Sequence, residues 1–206
     1  MRKYVLAAVL VLMASGAQAA LIDRGSGFIY DDVQDITWAQ NGNINGVDTW
    51  ANQVAWAAGY SQTHSVYGTF DDWRLPTTLQ PDPSCSSQSG GHSYGYSCTG
   101  SEMGHLFNVD GITDTSWGPF QPFGFPLLNF WSGTEFLDYQ GLNDQAWFVN
   151  CDSCPANQSV TAKEFNLHAM AVRPGDIAPI PEPSAAVLLG LGLSGLAASG
   201  RRRNRS

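Results

Sequence analysis

Hydrophobic positions along the chain come in short runs rather than long periodic stretches, a pattern that predicts many short elements joined by turns. Phe28 to Tyr30 and Asp35 to Trp38 read as two strands around a turn holding Asp31 and Asp32. Trp50, Val54 and Ala57 recur at helical spacing, which predicts a helix capped by Asp48, running to about Ala58 and stopped by Gly59. Trp73 to Leu75 reads as a short strand ended by Pro76. Thr99 and Glu102 have the spacing of a capping box, so a short helix through Leu106 should present Met103, Leu106 and Phe107 to a core. Phe130 to Gly133, Gln145 to Asn150 and Asn166 to Arg173 read as strands. In the last, Leu167, Ala169 and Ala171 alternate with His168, Met170 and Val172, which fits burial on both faces. Pro155 and the polar Ala156-Asn157-Gln158-Ser159 read as a loop. Helices thus fall in the first two thirds and strands mostly in the last, an α+β order without a βαβ rhythm. No repeat of roughly 20 to 50 residues is visible, which argues against a solenoid or propeller.

Two apolar runs stand at the ends. Arg2 and Lys3, the stretch Tyr4 to Ala14 and Ala17-Gln18-Ala19 have the three parts of a secretory signal over residues 1–19. At the other end, Pro181-Glu182-Pro183 precedes a sixteen-residue apolar stretch, Ser184 to Ser199, and then Arg201-Arg202-Arg203-Asn204-Arg205. Such a helix would be about 24 Å long, short of a hydrocarbon core of about 30 Å. It suits transient membrane association with the arginines on the cytoplasmic side; a permanent anchor in a thinned bilayer is the alternative. The order Pro-Glu-Pro, short apolar helix, arginine cluster over residues 178–206 resembles a PEP-CTERM sorting signal. The resemblance implies a Gram-negative exopolysaccharide producer, with signal peptidase and an exosortase as processing enzymes. It also implies a destination in the cell envelope or extracellular matrix. Residues 20–177 remain as one domain of ordinary size.

Charge sharpens this division. The chain carries 18 acidic and 10 basic side chains, but Arg2, Lys3, Arg201, Arg202, Arg203 and Arg205 all belong to the ends. Between residues 20 and 180 stand 17 acids against Arg24, Arg74, Lys163 and Arg173, a net of −13. Sequence-independent nucleic-acid binding needs several cations on phosphates and is excluded as an expectation. Such a surface would repel anionic polymers unless a divalent cation such as Ca²⁺ bridges them.

Several strings in the body go beyond composition. They are Leu21-Ile22-Asp23-Arg24, Ile29-Tyr30-Asp31-Asp32-Val33, Ile36-Thr37-Trp38, Asp71-Asp72-Trp73-Arg74-Leu75-Pro76-Thr77, Phe130-Trp131-Ser132-Gly133-Thr134-Glu135, Ala146-Trp147-Phe148 and Ala171-Val172-Arg173-Pro174. In that order they resemble the Lcl C-terminal-domain-like family of bacterial exported proteins over roughly residues 21 to 176. Many members follow Arg-Leu-Pro-Thr with a Glu-Leu helix; here Pro81, Pro83 and the Cys85 to Cys98 loop intervene. The Arg-Leu-Pro-Thr and Trp-Ser strings also resemble the formylglycine-generating-enzyme domain, which implies a compact, loop-rich, C-type-lectin-like fold and says nothing of activity. Physically, Trp73 and Leu75 should anchor one side of an extended segment. Arg74, on the other side, needs a carboxylate or a set of carbonyls, and acids such as Glu135 are natural partners for Arg74 and Arg173. The motif residues Asp72 to Thr77, Trp131, Ser132, Glu135 and Arg173 are therefore read as organisers of the fold.

Candidate chemistry is sparse. Four cysteines in an exported chain suggest disulfides, and closing the Cys85 to Cys98 loop would stabilise by about 3 kcal/mol. Cys151-Asp152-Ser153-Cys154 could be a second disulfide. A redox pair, or a zinc site completed by His92 or His105 with the other cysteines, is the sharper alternative. Asp31, Asp32 and Asp35, or Asp110 and Asp114 beside Gly111, could offer oxygens to Ca²⁺. Neither group matches an EF-hand loop, so solvated acids are the preferred reading, with no metal or cofactor assigned. No His-Glu-x-x-His and no His-x-x-x-His occurs. Most of the seven Trp should be core. The loop from Asp110 to Pro126 is long, and Trp117, Phe120 and Phe123 in it are the candidate exposed aromatic surface. The sequence thus favours a non-catalytic adhesion or binding module, with exopolysaccharide as the ligand class. An enzyme on a formylglycine-enzyme-like scaffold and a purely structural matrix component are the alternatives.

Overall fold

A computed structural model of the chain describes residues 21–113, 115–122, 129–137, 143–151 and 155–178. Both predicted terminal signals lie outside these residues. The described chain is a mixed fold of two helices and several antiparallel sheets, mostly strands. The first strands are β1 (Leu21–Gly25), β2 (Phe28–Asp31) and β3 (Ile36–Ala39), followed by helix α1 (Trp50–Gly59). Two hairpins come next, β4 (Gln62–His64) with β5 (Gly68–Phe70), and β6 (Ser87–Ser89) with β7 (His92–Tyr96). Helix α2 (Glu102–Asn108) precedes β8 (Asn129–Phe136), β9 (Gln145–Asn150), β10 (Asn157–Ala162) and β11 (Val172–Pro174). The sheets run β1-β2-β3-β11, β6-β7-β10-β9-β8 and β4-β5. Among the described residues, no helix is long and apolar enough to cross a membrane.

Both described helices fall in the first two thirds of the chain as expected, but the reading that strands lie mostly in the last third is corrected, because seven of the eleven described strands precede α2. Several of these strands carry little hydrophobic signal. All three residues of β6 are exposed, and the Asn157 to Ser159 stretch expected as loop opens β10, paired with β9 from Asn157↔Asn150 to Ala162↔Gln145. What holds β10 is polar satisfaction: buried Gln158 accepts from the Ser101 hydroxyl at 2.6 Å and donates to the Ser93 carbonyl at 3.0 Å. The expected strand from Asn166 to Arg173 is also corrected. Only its end pairs continuously, as β11 with β3, while Leu167 bridges Asp48, His168 bridges Phe130 and Val172 bridges Arg74. The segment passes from α1 to β8 to β3 as a tie. Ala169, Met170, Ala171 and Val172 are all buried, as two-sided alternation requires.

Neither expected cap forms. Thr49 precedes α1 without a side-chain cap bond, while the Asp48 carboxylate accepts from the Thr49 amide and the Asn52 side chain. At α2 the preceding residue is Ser101, whose hydroxyl is committed to Gln158 and to the Leu79 amide. Glu102 does not reach back to Thr99, because charge-assisted bonds to Arg74 take its carboxylate. The largest core cluster joins both helical and sheet elements through Ile29, Trp38, Leu106, Phe130 and Met170.

Candidate functional site

The motif residues sort first into clamps. Trp73 and Leu75 are buried, and Arg74 points the other way, giving two hydrogen bonds to Glu102 at 2.7 and 2.6 Å. The same carboxylate accepts the Thr77 amide at 2.7 Å. Arg173 forks onto Asp72 at 2.7 and 3.0 Å, and its guanidinium lies 4.5 Å from the Phe70 ring centre. This pairing holds the Asp72 carboxyl below the usual carboxylate range, the hydrogen bond from Arg173 being the main cause. Glu135 is the partner of neither arginine; it pairs with Lys163 at 3.3 Å. Arg24 pairs with Asp176, so all four cations of the folded body lie on carboxylates. Ser132 donates to the Pro76 carbonyl at 2.9 Å and the Trp131 indole donates to the Asp48 carbonyl at 3.1 Å, which places both in the framework.

Cys85 and Cys98 form a disulfide across the β6–β7 hairpin. Neither sulfur is then a thiolate, so neither can hold zinc in the way considered from sequence. Cys151 is buried at the end of β9, whereas Cys154 lies outside the described residues.

Of the expected aromatic surface, Phe120 is corrected to a core position. Phe120 is 5% exposed and meets Trp38 edge-on at 6.4 Å, and Trp117 is partly buried against the same cluster. Phe123 lies outside the described residues. A different aromatic group stands under the disulfide hairpin. His92 and Tyr94 of β7 and Phe136 of β8, all half-buried, surround buried Trp147 of β9. Ring centres lie 4.8 Å apart for His92 and Phe136, 5.0 Å for Tyr94 and Trp147, and 5.7 Å for Phe136 and Trp147. His92 Nδ1 is buried without a hydrogen-bond partner. Sequence reasoning missed this group because Tyr94 and Phe136 stand 42 positions apart in chain order and only β10 brings β7 to β9.

A second gathering unites acids that the sequence kept in two groups. Asp31, at the end of β2, lies with His105 of α2 and Asp110 just beyond α2, one ligand-type atom of each within 4.8 Å of the others. Asp31 Oδ1 accepts the Val33 and Gln34 amides, both at 3.0 Å, and Oδ2 accepts the Gln34 side chain at 2.7 Å. A carboxylate has about four lone-pair sites, so one stays open on Asp31. The Asp110 side chain is 3% exposed and both its oxygens lack a hydrogen-bond partner, as does His105 Nε2. His105 Nε2 to Asp110 Oδ1 is 3.7 Å, too long for a hydrogen bond. Burial first, then the neighbouring Asp31, pushes the Asp110 carboxyl up to about 6, with Asp32 adding and His105 opposing. Asp35 turns elsewhere: its carboxylate accepts the Tyr30 hydroxyl at 3.0 Å, and burial together with that bond pushes Tyr30 up to about 12. Asp114 lies outside the described residues.

No protein-family model, curated protein or solved structure matches the chain.

Proposed function

We propose that this protein is exported, processed at Pro181-Glu182-Pro183 by an exosortase, and acts in the cell envelope or extracellular matrix as a non-catalytic module that binds exopolysaccharide. In this reading residues 20–177 are one Lcl C-terminal-like domain whose loop-rich build is C-type-lectin-like, and the two ends are addresses.

The observation that carries the binding half of the proposal is the group His92, Tyr94, Phe136 and Trp147. Sugar rings present flat C–H faces to aromatic side chains and hydroxyls to polar atoms. Here three half-buried rings are braced by a buried indole. The neighbouring β6 strand, Ser87-Gln88-Ser89, is exposed and rich in hydrogen-bonding groups. With every cation of the body engaged by a carboxylate, recognition through rings and hydroxyls suits this surface better than recognition of anionic groups.

The test is retention of the purified protein on the producer's own exopolysaccharide, with and without Ca²⁺. Tyr94→Ala and Phe136→Ala are each expected to weaken retention about tenfold, one stacking contact being worth about 1 kcal/mol or more, while leaving the far-UV circular dichroism unchanged. Retention absent from the wild type, or unchanged from the wild type in both variants, would remove the support for this reading.

A further inference from the structure

We propose that Asp31, His105 and Asp110 form a site for one divalent first-row transition-metal ion of the Zn²⁺ type, which ties α2 to the β2–β3 turn. The inference is independent of the polysaccharide reading and lies in another part of the fold.

Three observations carry it. The first is an unmet need. Asp110 is nearly sealed from solvent, both its carboxylate oxygens are without partners, and the buried His105 Nε2 beside it is also without one. Buried polar groups in folded proteins are normally satisfied, and each exception calls for a specific cause. Two such residues side by side, aimed at one space, point to a common missing partner.

The second is charge. Asp31, Asp32 and Asp110 crowd this corner, while Arg24, Arg74, Lys163 and Arg173 each sit on a different carboxylate. Among the described residues, each Lys and Arg is thus paired with a carboxylate other than Asp31 and Asp110. A divalent ion would offset two of the charges and accept all three donor atoms.

The third is donor chemistry and spacing. Two ligand atoms about 2.1 Å from one ion at a tetrahedral angle lie about 3.4 Å apart. His105 Nε2 and Asp110 Oδ1 stand at 3.7 Å, so a contraction of a few tenths of an ångström closes the pair onto an ion. Asp31 keeps one lone pair of Oδ2 open while the Val33 and Gln34 amides and the Gln34 side chain fix the carboxylate's orientation, the usual office of groups behind a ligand. Ca²⁺ and Mg²⁺ take oxygen ligands, six or more for Ca²⁺, whereas an imidazole between two carboxylates suits Zn²⁺ and its neighbours. The same corner is already stitched once, by the Gln34 side chain donating to the Glu102 carbonyl at 3.2 Å. The ion adds a second, stronger link between turn and helix.

The test uses the full chain, stripped of metal with a chelator and kept oxidised. Titration with Zn²⁺ by calorimetry should give one ion per chain and a raised melting temperature, with Ca²⁺ binding at least about tenfold weaker. Asp110→Asn keeps the shape and removes a buried charge, so it should melt no lower than the metal-free wild type. It should lose about a hundredfold in Zn²⁺ affinity, and His105→Gln likewise. Should either variant fail to fold, Co²⁺ on the wild type decides. Visible d–d absorption without a thiolate charge-transfer band supports the His and carboxylate site, and a thiolate band overturns it. Zn²⁺ binding absent from the wild type, unchanged in Asp110→Asn, or no tighter than Ca²⁺ overturns the assignment.

Discussion

Glu102 illustrates how much one carboxylate can organise. It receives both terminal nitrogens of Arg74 and the Thr77 amide, so the Asp-Trp-Arg-Leu-Pro-Thr string is fastened to the start of α2. Charge-assisted hydrogen bonds are worth about 1.5 to 3 kcal/mol each, but Arg74 is 38% exposed and solvent weakens its share. Glu102→Ala is therefore expected to cost about 2 kcal/mol in urea unfolding, and Glu102→Gln about half of that, since an amide oxygen still accepts from Thr77 or Arg74. Equal and negligible losses in the two variants would show that the clamp does not hold the fold. That a carboxylate was the natural partner for Arg74, with a set of carbonyls as the alternative, was legible from the excess of acids over cations. Which carboxylate was not, because the partners are 28 residues apart here, 101 apart for Arg173 and Asp72, and 152 apart for Arg24 and Asp176. Glu135, the natural candidate in sequence, is taken by Lys163.

Legibility at the scale of elements followed hydrophobic contrast. Strands β2, β3, β8 and β9 carry buried aromatic or branched side chains, and α1 sets partly buried Trp50 and Val54 and buried Ala57 at helical spacing, so these elements were readable. Strands β4, β6 and β10 are polar and draw their stability from ladder partners and side-chain bonds that no local window contains. Helix α2 was readable too, but its seating depends on Gly104. A Cβ there would stand 2.5 Å from the Cys98 carbonyl oxygen, on backbone fixed by the Cys85–Cys98 disulfide. Helix propensity alone favours Gly104→Ala by about 1 kcal/mol. Overpacking against a backbone that cannot yield costs about 1 to 3 kcal/mol, and here it should prevail. Gly104→Ala is thus expected to lower the melting temperature. The loss should shrink in the reduced protein, where Cys98 is freer to move, and a melting temperature raised in the oxidised protein would show that α2 has room to shift.

The molecule as a whole combines an acidic exterior with cations spent on internal clamps. Net charge and its confinement to residues 20–180 were legible from composition. The convergence of Asp31, His105 and Asp110 was not, since the turn after β2 and α2 meet through the packing of Ile29, Trp38, Leu106 and Phe107 in one cluster and through the bond from Gln34 to the Glu102 carbonyl. The body's charge of −13, with Arg24, Arg74, Lys163 and Arg173 all paired, fixes the sign of a salt effect. A protein that holds an anionic polymer through Lys and Arg loses affinity as salt rises, because counterion release becomes less favourable. On the proposed reading, binding must instead bring an acidic surface up to the polymer, and screening relieves that repulsion. Between about 0.01 M and about 0.15 M salt the Debye length falls from about 30 Å to about 8 Å. Retention on an anionic exopolysaccharide is therefore expected to rise severalfold over that range, and retention on a neutral one to stay level. Chromatography at stepped ionic strength measures both. A fall with salt on the anionic polymer would mean that cationic contacts carry the binding, most plainly those of Arg201, Arg202, Arg203 and Arg205, and the aromatic group under the disulfide hairpin would lose its role. Repeating the series on the chain ending before Arg201 separates these outcomes, since ring-mediated retention survives that truncation and arginine-mediated retention does not.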